Sequence, residues 1–426
     1  MKRGDLTPGI KPAPQKNKRG SKGLPAELDV NIWIRIIAIA IAIFIFNYFV
    51  ASTLWGGQDF FVNWASARML FFRGINPYSQ NGINFLIESS KILHVIPKDT
   101  NYIFLNPLFS IFLFFPFSLF QNFYIARALW LFFNEILLFF SFRLVLRIIG
   151  FKDDQQVSGK LLLYFFSFFY SIIALLQGSE YIFLFFVFLG ALRWIQEKKF
   201  LGTGILLALL TLKIQAVIIP LLVLFVYLFF EKGWSAFAWF IISLAILVVA
   251  SYFLVPDWPI MYFRAIITNG AASGIALPGE LVKNWINDSP PIIWNGISVI
   301  CFGIILLELF LSPIDSKRLF WVLCLAISLY PMIMIQNQLG VLCFLLLPMG
   351  FFFHQWMERN RLYGSWVMNI SLIFFSFFLL TLGLLTKSMV YIEPFSAFFY
   401  YFLPIAFTLL NLYWVRGWVK NDLSVL

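Results

Sequence analysis

Long apolar runs recur along almost the whole chain, and nothing else in the sequence constrains the fold as strongly. They fall near 32–54, 103–120, 125–147, 161–176, 180–195, 200–212, 215–230, 235–254, 292–312, 319–335, 339–353, 363–385 and 395–415. A helix needs about 20 apolar residues to cross a bilayer, and many of these runs approach that length. A β-barrel would show about ten-residue strands of alternating hydrophobicity, whereas these runs are uniformly apolar. Of the 426 residues, 61% are hydrophobic and only 12% charged, against about 25% charged in soluble domains. The chain therefore reads as an all-α polytopic membrane protein.

Charge supplies the orientation. Residues 1–30 hold Lys2, Arg3, Lys11, Lys16, Lys18, Arg19 and Lys22 among Pro, Gly and Ser. That composition predicts a disordered basic tail on the cytoplasmic side, able to touch anionic headgroups. The first apolar run is too long for a signal peptide. The net charge of +11 arises from this tail and the loop clusters and does not point to nucleic acid. Basic clusters follow the runs at Arg143, Arg147, Lys152 and Lys160, at Arg193, Lys198 and Lys199, at Lys317 and Arg318, at Arg359 and Arg361, and at Arg416 and Lys420.

If every run crossed, the tail and these clusters would lie on opposite sides. Leaving out 103–120, which contains Pro107 and Pro116, restores agreement, because proline removes a backbone donor and breaks helices. That segment is expected to be juxtamembrane or re-entrant. Reading 200–230 as two short helices with Lys213 near their outer turn also keeps the rule. The expectation is about twelve spans with both termini inside. Residues 31–426 form the membrane domain, with outer loops at 55–124 and 255–291. Acidic residues gather on that outer side: Asp59, Glu88, Asp99, Glu180, Asp257, Glu280, Asp288 and Glu393.

Metal and disulfide chemistry find little support. Cys301, Cys324 and Cys343 all sit inside apolar runs and read as packing residues. The two histidines, His94 and His354, are far apart, so no zinc-type spacing exists. Asp257, Glu280 and Asp288 could form a cluster only by folding together. No metal and no cofactor are expected, and no phosphate-binding loop marks a nucleotide-sugar donor.

The first outer loop begins "GGQDFFVNWASARMLFFRGINPY", Gly56 to Tyr78. Residues 59–73 lack Gly and Pro, and Gly74 stands where a helix C-cap belongs. Asp59, Asn63, Ser66 and Arg73 share one helical stripe; Phe60, Trp64, Ala67 and Phe71 form another. This predicts an amphipathic interfacial helix with its aromatic side toward lipid or the bundle. Asp59 is well suited to cap its start, and a capped carboxylate can still face a cleft. Arg68 and Arg73 fit snorkelling or headgroup contact.

Asp59, Phe60, Trp64, Ala65, Ala67, Arg68, Leu70, Gly74, Pro77 and Tyr78 resemble the first-loop pattern of glycosyltransferase family 87, within the GT-C class. Asn106-Pro107 with Pro116 looks like that family's proline-broken segment. "LLQGSEYIFLFFVFLGALRW" and "GTGILLALLTLKIQAVIIPLLVL" are similar to its short-helix turn and its Gly-then-Lys helix pair, with Lys213 as the lysine. The resemblance spans roughly 50–230. Two departures stand out: the turn reads Gly178-Ser179-Glu180-Tyr181 rather than Gly-Gln-x-Asn, and the proline after the lysine is delayed to Pro220.

The resemblance implies a polyprenyl-phosphate-sugar donor carrying a hexose or pentose, a lipid or glycan acceptor, and inversion at the anomeric carbon. It also implies Asp59 as the base. Such transfer needs a carboxylate to take the acceptor proton and cations to meet the phosphate leaving group. Lys213 leads as phosphate ligand, with Arg68 and Arg264 behind it. Glu180 is expected to orient a sugar hydroxyl or to pair with Lys213; Asn63, Trp64 and Tyr78 are the remaining substrate-contact candidates. The rival readings are a transporter or lipid flippase, for which no internal repeat is visible, and a ligase or polymerase of lipid-linked glycans.

Overall fold

The computed structural model describes residues 30–94, 102–151, 155–269, 291–311, 316–333, 339–386 and 398–421. The basic tail lies outside them, as do Asp99, Glu280, Asp288, Glu393 and most of the second outer loop. Every described element is helical, and no strand occurs among the described residues. The chain divides into two compact units, 1–45 and 46–426.

The helices that position the site run in chain order. They are α1 (Val30–Thr53), α2 (Gln58–Arg73), α3 (Gln80–Ile92), α4 (Ile111–Ser118), α5 (Phe123–Ile148), α6 (Gln155–Ser167), α7 (Phe169–Gln177), α8 (Tyr181–Gln196), α9 (Phe200–Leu210), α10 (Ile218–Phe230), α11 (Trp234–Leu254) and α12 (Trp258–Asn269). Beyond them come α13 (Pro291–Leu311), α14 (Ser316–Ile333) and α15 (Leu346–Arg359).

Among the described residues, five helical segments are long and apolar enough to cross a membrane: Ile32–Thr53, Phe123–Ile148, Trp234–Leu254, Leu339–Arg359 and Arg361–Gly383. The pair Gln156–Ser167 and Phe169–Gln177, bent by 43°, would make a sixth. The expected twelve is not reached on this measure. The physical reason is helix breaking: several apolar runs fold as shorter helices such as Tyr181–Gln196, Phe200–Ala216 and Ile218–Phe230. At 1.5 Å per residue the 13-residue Ile218–Phe230 helix extends only about 20 Å, less than the ~30 Å hydrocarbon core.

Residues 103–120 contribute an extended stretch, the short 3-10 turn Leu108–Ser110 and α4. That helical piece is about 16 Å long, too short to span, and it packs on α2.

The start and end of α2 depart in one respect from the sequence reading. Its N-cap is Gly57, in the left-handed region at φ 79°, with no side-chain cap. Asp59 sits inside the first turn instead, where its charge meets the positive end of the helix dipole. The C-cap is Gly74 at φ 65°, and the N–H groups of Gly74 and Ile75 bond back to Leu70 and Met69.

The surroundings of α2 also differ from expectation. Phe60, Phe61, Asn63, Trp64, Ala65, Ser66, Ala67, Met69 and Leu70 are all buried, so α2 is sheathed by protein on both its aromatic and its polar stripes. Phe60 alone stacks on Trp130 at 5.7 Å and meets Phe114, Phe117 and Phe123 within 6.2 Å. Hydropathy along α2 could not show that α4 and α5 would supply so many rings to cover it. The three cysteines are free and buried.

Candidate functional site

The site is assembled where three chain breaks meet: the start of α2, the turn between α7 and α8, and the break after α9. Gly57 N–H donates to the Leu176 carbonyl at 2.7 Å, which ties the start of α2 to the end of α7. Arg127, fully buried on α5, holds the same junction. Its Nη1 donates to the Ala51 and Leu54 carbonyls at 2.9 and 3.1 Å, and its Nη2 to the Leu176 carbonyl at 3.1 Å. A side chain at Gly57 would collide with this guanidinium, its Cβ 2.6 Å from Arg127 Nε.

Gly178 makes the α7–α8 turn, with φ 69°, and its carbonyl accepts from Trp130 Nε1 at 2.9 Å. A Cβ there would lie 2.6 Å from Phe60 Cβ, so the turn rests directly on the first turn of α2. Gly178→Ala is therefore expected to cost about 1–3 kcal/mol from the left-handed backbone alone and to push α2 off the turn. Thermal unfolding in detergent and transfer activity should both fall; unchanged values for both would mean that the contact is slack.

Glu180 follows in that turn and is 2% exposed. Its Oε1 accepts from Asn63 Nδ2 at 2.8 Å and Asn106 Nδ2 at 2.7 Å. Its Oε2 meets Lys213 Nζ at 3.2 Å. Lys213 occupies the 3-10 turn Thr211–Ala216, where its non-helical backbone (φ −144°, ψ 71°) ends the ladder continuing from α9. The ammonium also lies 4.5 Å from the centre of the Tyr181 ring. Glu180 and Lys213 thus form a buried ion pair.

The surrounding amides hold this pair. Asn63 Nδ2 also donates to the Asp59 carbonyl at 2.9 Å, and Asn63 Oδ1 accepts from Asn106 at 3.0 Å. Both Asn63 donor hydrogens are thus committed within the protein. Tyr78 acts one layer out: its hydroxyl donates to the Asn106 carbonyl at 2.6 Å. Burial and nearby Tyr262 push that phenol well above its usual range, so it remains a donor.

Asp59 is half-buried as a residue, yet its Oδ2 is inaccessible to solvent. Burial pushes its carboxyl from the ordinary range up to about 7; the Lys213 charge opposes that rise and the Glu180 charge adds to it. Asp59, Glu180 and Lys213 therefore form one electrostatic unit.

The remaining candidates have other surroundings. Arg68 lies on the far side of α2 from Asp59, nine residues on at 100° each. Its Nη1 donates to the Ser118 carbonyl at 2.7 Å, and its guanidinium lies 5.4 Å from the Trp64 ring and 5.5 Å from the Phe72 ring. It anchors the end of α4. Trp64 packs edge-on to Phe123 at 5.5 Å. Arg264 is exposed on α12, a helix that touches the first loop through Trp258, Met261 and Tyr262.

Some residues were not singled out by sequence. In the sequence Asn106 stands out only as half of an Asn-Pro pair, and Arg127 is one arginine in a long apolar run. Gln58, Gln177 and Gln215 flank Asp59, Glu180 and Lys213, and the Oε1 of each is buried without a hydrogen-bond partner. Buried acceptors are rarely left so, and that spacing was a readable signal. No group of three or more His, Cys, Asp or Glu could hold a metal among the described residues.

No curated protein and no solved structure matches the chain. The family model described as glycosyltransferase family 87 matches residues 104–381. That range takes in Asn106, Glu180 and Lys213, while Asp59 and Asn63 precede it. With the model covering well over half of the sequence, this protein belongs to glycosyltransferase family 87.

Proposed function

We propose that the protein moves a hexose or pentose from a polyprenyl-phosphate-linked donor to a lipid or glycan acceptor at the outer membrane face. Family membership makes it a glycosyltransferase with a sugar donor and an acceptor; donor chemistry, orientation and residue roles are our reading. The observation that carries it is the Asp59 carboxyl, raised to about 7 by burial beside the Glu180–Lys213 pair. A base works best with a pKa near the operating pH.

In this reading the acceptor hydroxyl oxygen attacks the anomeric carbon and Asp59 takes its proton. The bond from that carbon to the phosphate oxygen breaks, and polyprenyl phosphate leaves with the electron pair. One displacement inverts the anomeric centre. The Lys213 ammonium, held at Glu180, supplies the positive charge that meets the leaving phosphate. The unpartnered oxygens of Gln58, Gln177 and Gln215 would accept sugar hydroxyls. The basic residues Arg143 and Arg147 at the far end of α5 favour the cytoplasmic side there, which supports an outer position for the site at the Arg127 end.

The test is transfer by purified protein given polyprenyl-phosphate sugars, read as labelled product. Solute uptake by proteoliposomes without any transfer would overturn the proposal. The pH profile adds a signed check. Deprotonated Asp59 is the active form, so kcat/KM should rise with pH through an apparent pKa near 7, the value burial gives it. Glu180→Gln removes a charge that raises this pKa and should move the limb to lower pH. Lys213→Met removes one that lowers it and should move the limb higher. Shifts of the same sign in both variants would refute the electrostatic unit.

A further inference from the structure

We infer that the end of α5 remote from Asp59 carries a binding site for one anionic phospholipid. Along α5, Arg127 marks the Asp59 end, and Arg147 lies about 30 Å further on at 1.5 Å per residue. Arg143 and Arg147 are four residues apart, so their side chains emerge on one face of the helix. Both are exposed. Neither has an acidic partner among the described residues. Arg193, near the end of α8, differs: Glu197 neutralises it at 2.7 Å.

Beside the two arginines runs a groove of about 500 Å³ between α5, α8 and α9. Arg143 and Arg147 themselves line it, together with Phe140, Phe186, Val187, Gly190 and Leu206, so the walls are largely apolar and carry the two guanidiniums. Gly190 shapes it: even a methyl group there would press to 3.1 Å from Leu206 Cδ1, so α8 and α9 approach closely at its floor. Phe140 is 50% exposed on a helix long and apolar enough to span, which places the groove mouth against lipid.

Two guanidiniums side by side repel unless an anion lies between them. They stand at one membrane edge, where a phosphodiester sits, and arginine forms forked hydrogen bonds to phosphate oxygens. Below them an apolar groove accepts an acyl chain. That combination selects a phospholipid with net negative charge over a zwitterionic one, whose ammonium would face the arginines. The charge distribution assigns this edge to the cytoplasmic leaflet, but binding itself requires neither that assignment nor sugar transfer.

The experiment is native mass spectrometry of the full chain in detergent. Phosphatidylglycerol is titrated against phosphatidylcholine of the same chains, for wild type and Arg143→Gln/Arg147→Gln. The basic tail is identical in both proteins, so its contribution cancels in the comparison. Wild type should retain one phosphatidylglycerol through activation that strips phosphatidylcholine. The double variant should bind it about thirty-fold more weakly, the loss expected for two basic residues at an anionic surface. Arg143→Lys/Arg147→Lys should keep most of the binding. Should the double variant fold poorly, the single variants Arg143→Gln and Arg147→Gln must each show part of the loss. Equal retention by wild type and the glutamine variants, or no preference between the two lipids in wild type, overturns the site.

Discussion

Asp59→Asn yields a folded protein with sugar transfer reduced by about 10²–10⁴-fold, the range lost when a positioned general base is removed. Asparagine keeps the shape of the side chain and removes a carboxyl that burial already disfavours in its charged form. The unfolding temperature should therefore hold or rise, and donor should still bind. The measurement pairs single-turnover transfer with donor affinity and thermal unfolding in the same detergent. Full turnover in the variant would remove Asp59 from the role of base. Lost turnover together with lost donor binding would make it a binding residue instead. Because Asp59 lies ahead of the family-matched residues 104–381, this variant also tests whether the first loop belongs to the active site.

Lys213→Met should be the most destabilising change at the site. Glu180 is 2% exposed and Lys213 is 7% exposed, and removing one partner of a buried pair leaves the other charge uncompensated, at a cost of about 3–5 kcal/mol. Lys213→Met with Glu180→Gln should recover most of that loss, since the glutamine carbonyl oxygen can still accept from Asn63 and Asn106. The two changes would thus be strongly non-additive, as expected for groups in contact. The double variant separates the two jobs of the lysine. If Lys213 holds the donor phosphate, the stable double variant still binds donor at least about tenfold more weakly, the loss of one charge-assisted hydrogen bond. If its affinity equals that of wild type, Lys213 serves only to neutralise Glu180.

How far the sequence reached is clearest at α2. Its length and its glycine C-cap follow from the sequence alone, because caps and breakers act locally; its start did not, since Gly57 rather than Asp59 caps it. Its burial did not follow. Phe60 and Ser66 carry no mark that α4, α5 and the α7–α8 turn would close around them, since covering a helix is a property of its neighbours. The same holds for the crossings: the sequence located the apolar helices and the break at Lys213, but not which short helices cross the membrane.

The sequence by itself determined that this is a helical membrane protein, which residues are apolar enough to bury, and that Asp59, Glu180 and Lys213 are unusual charges in such surroundings. Only the tertiary structure decided that these three meet. They come from turns 121 and 33 residues apart in the chain, and local preferences carry no information over such separations. What joins them is long-range: Arg127 on the carbonyls of Ala51, Leu54 and Leu176, and Gly178 against Phe60. Asn63 and Asn106 then satisfy Glu180. A buried carboxylate and ammonium are stable only with such partners, and the fold supplies them.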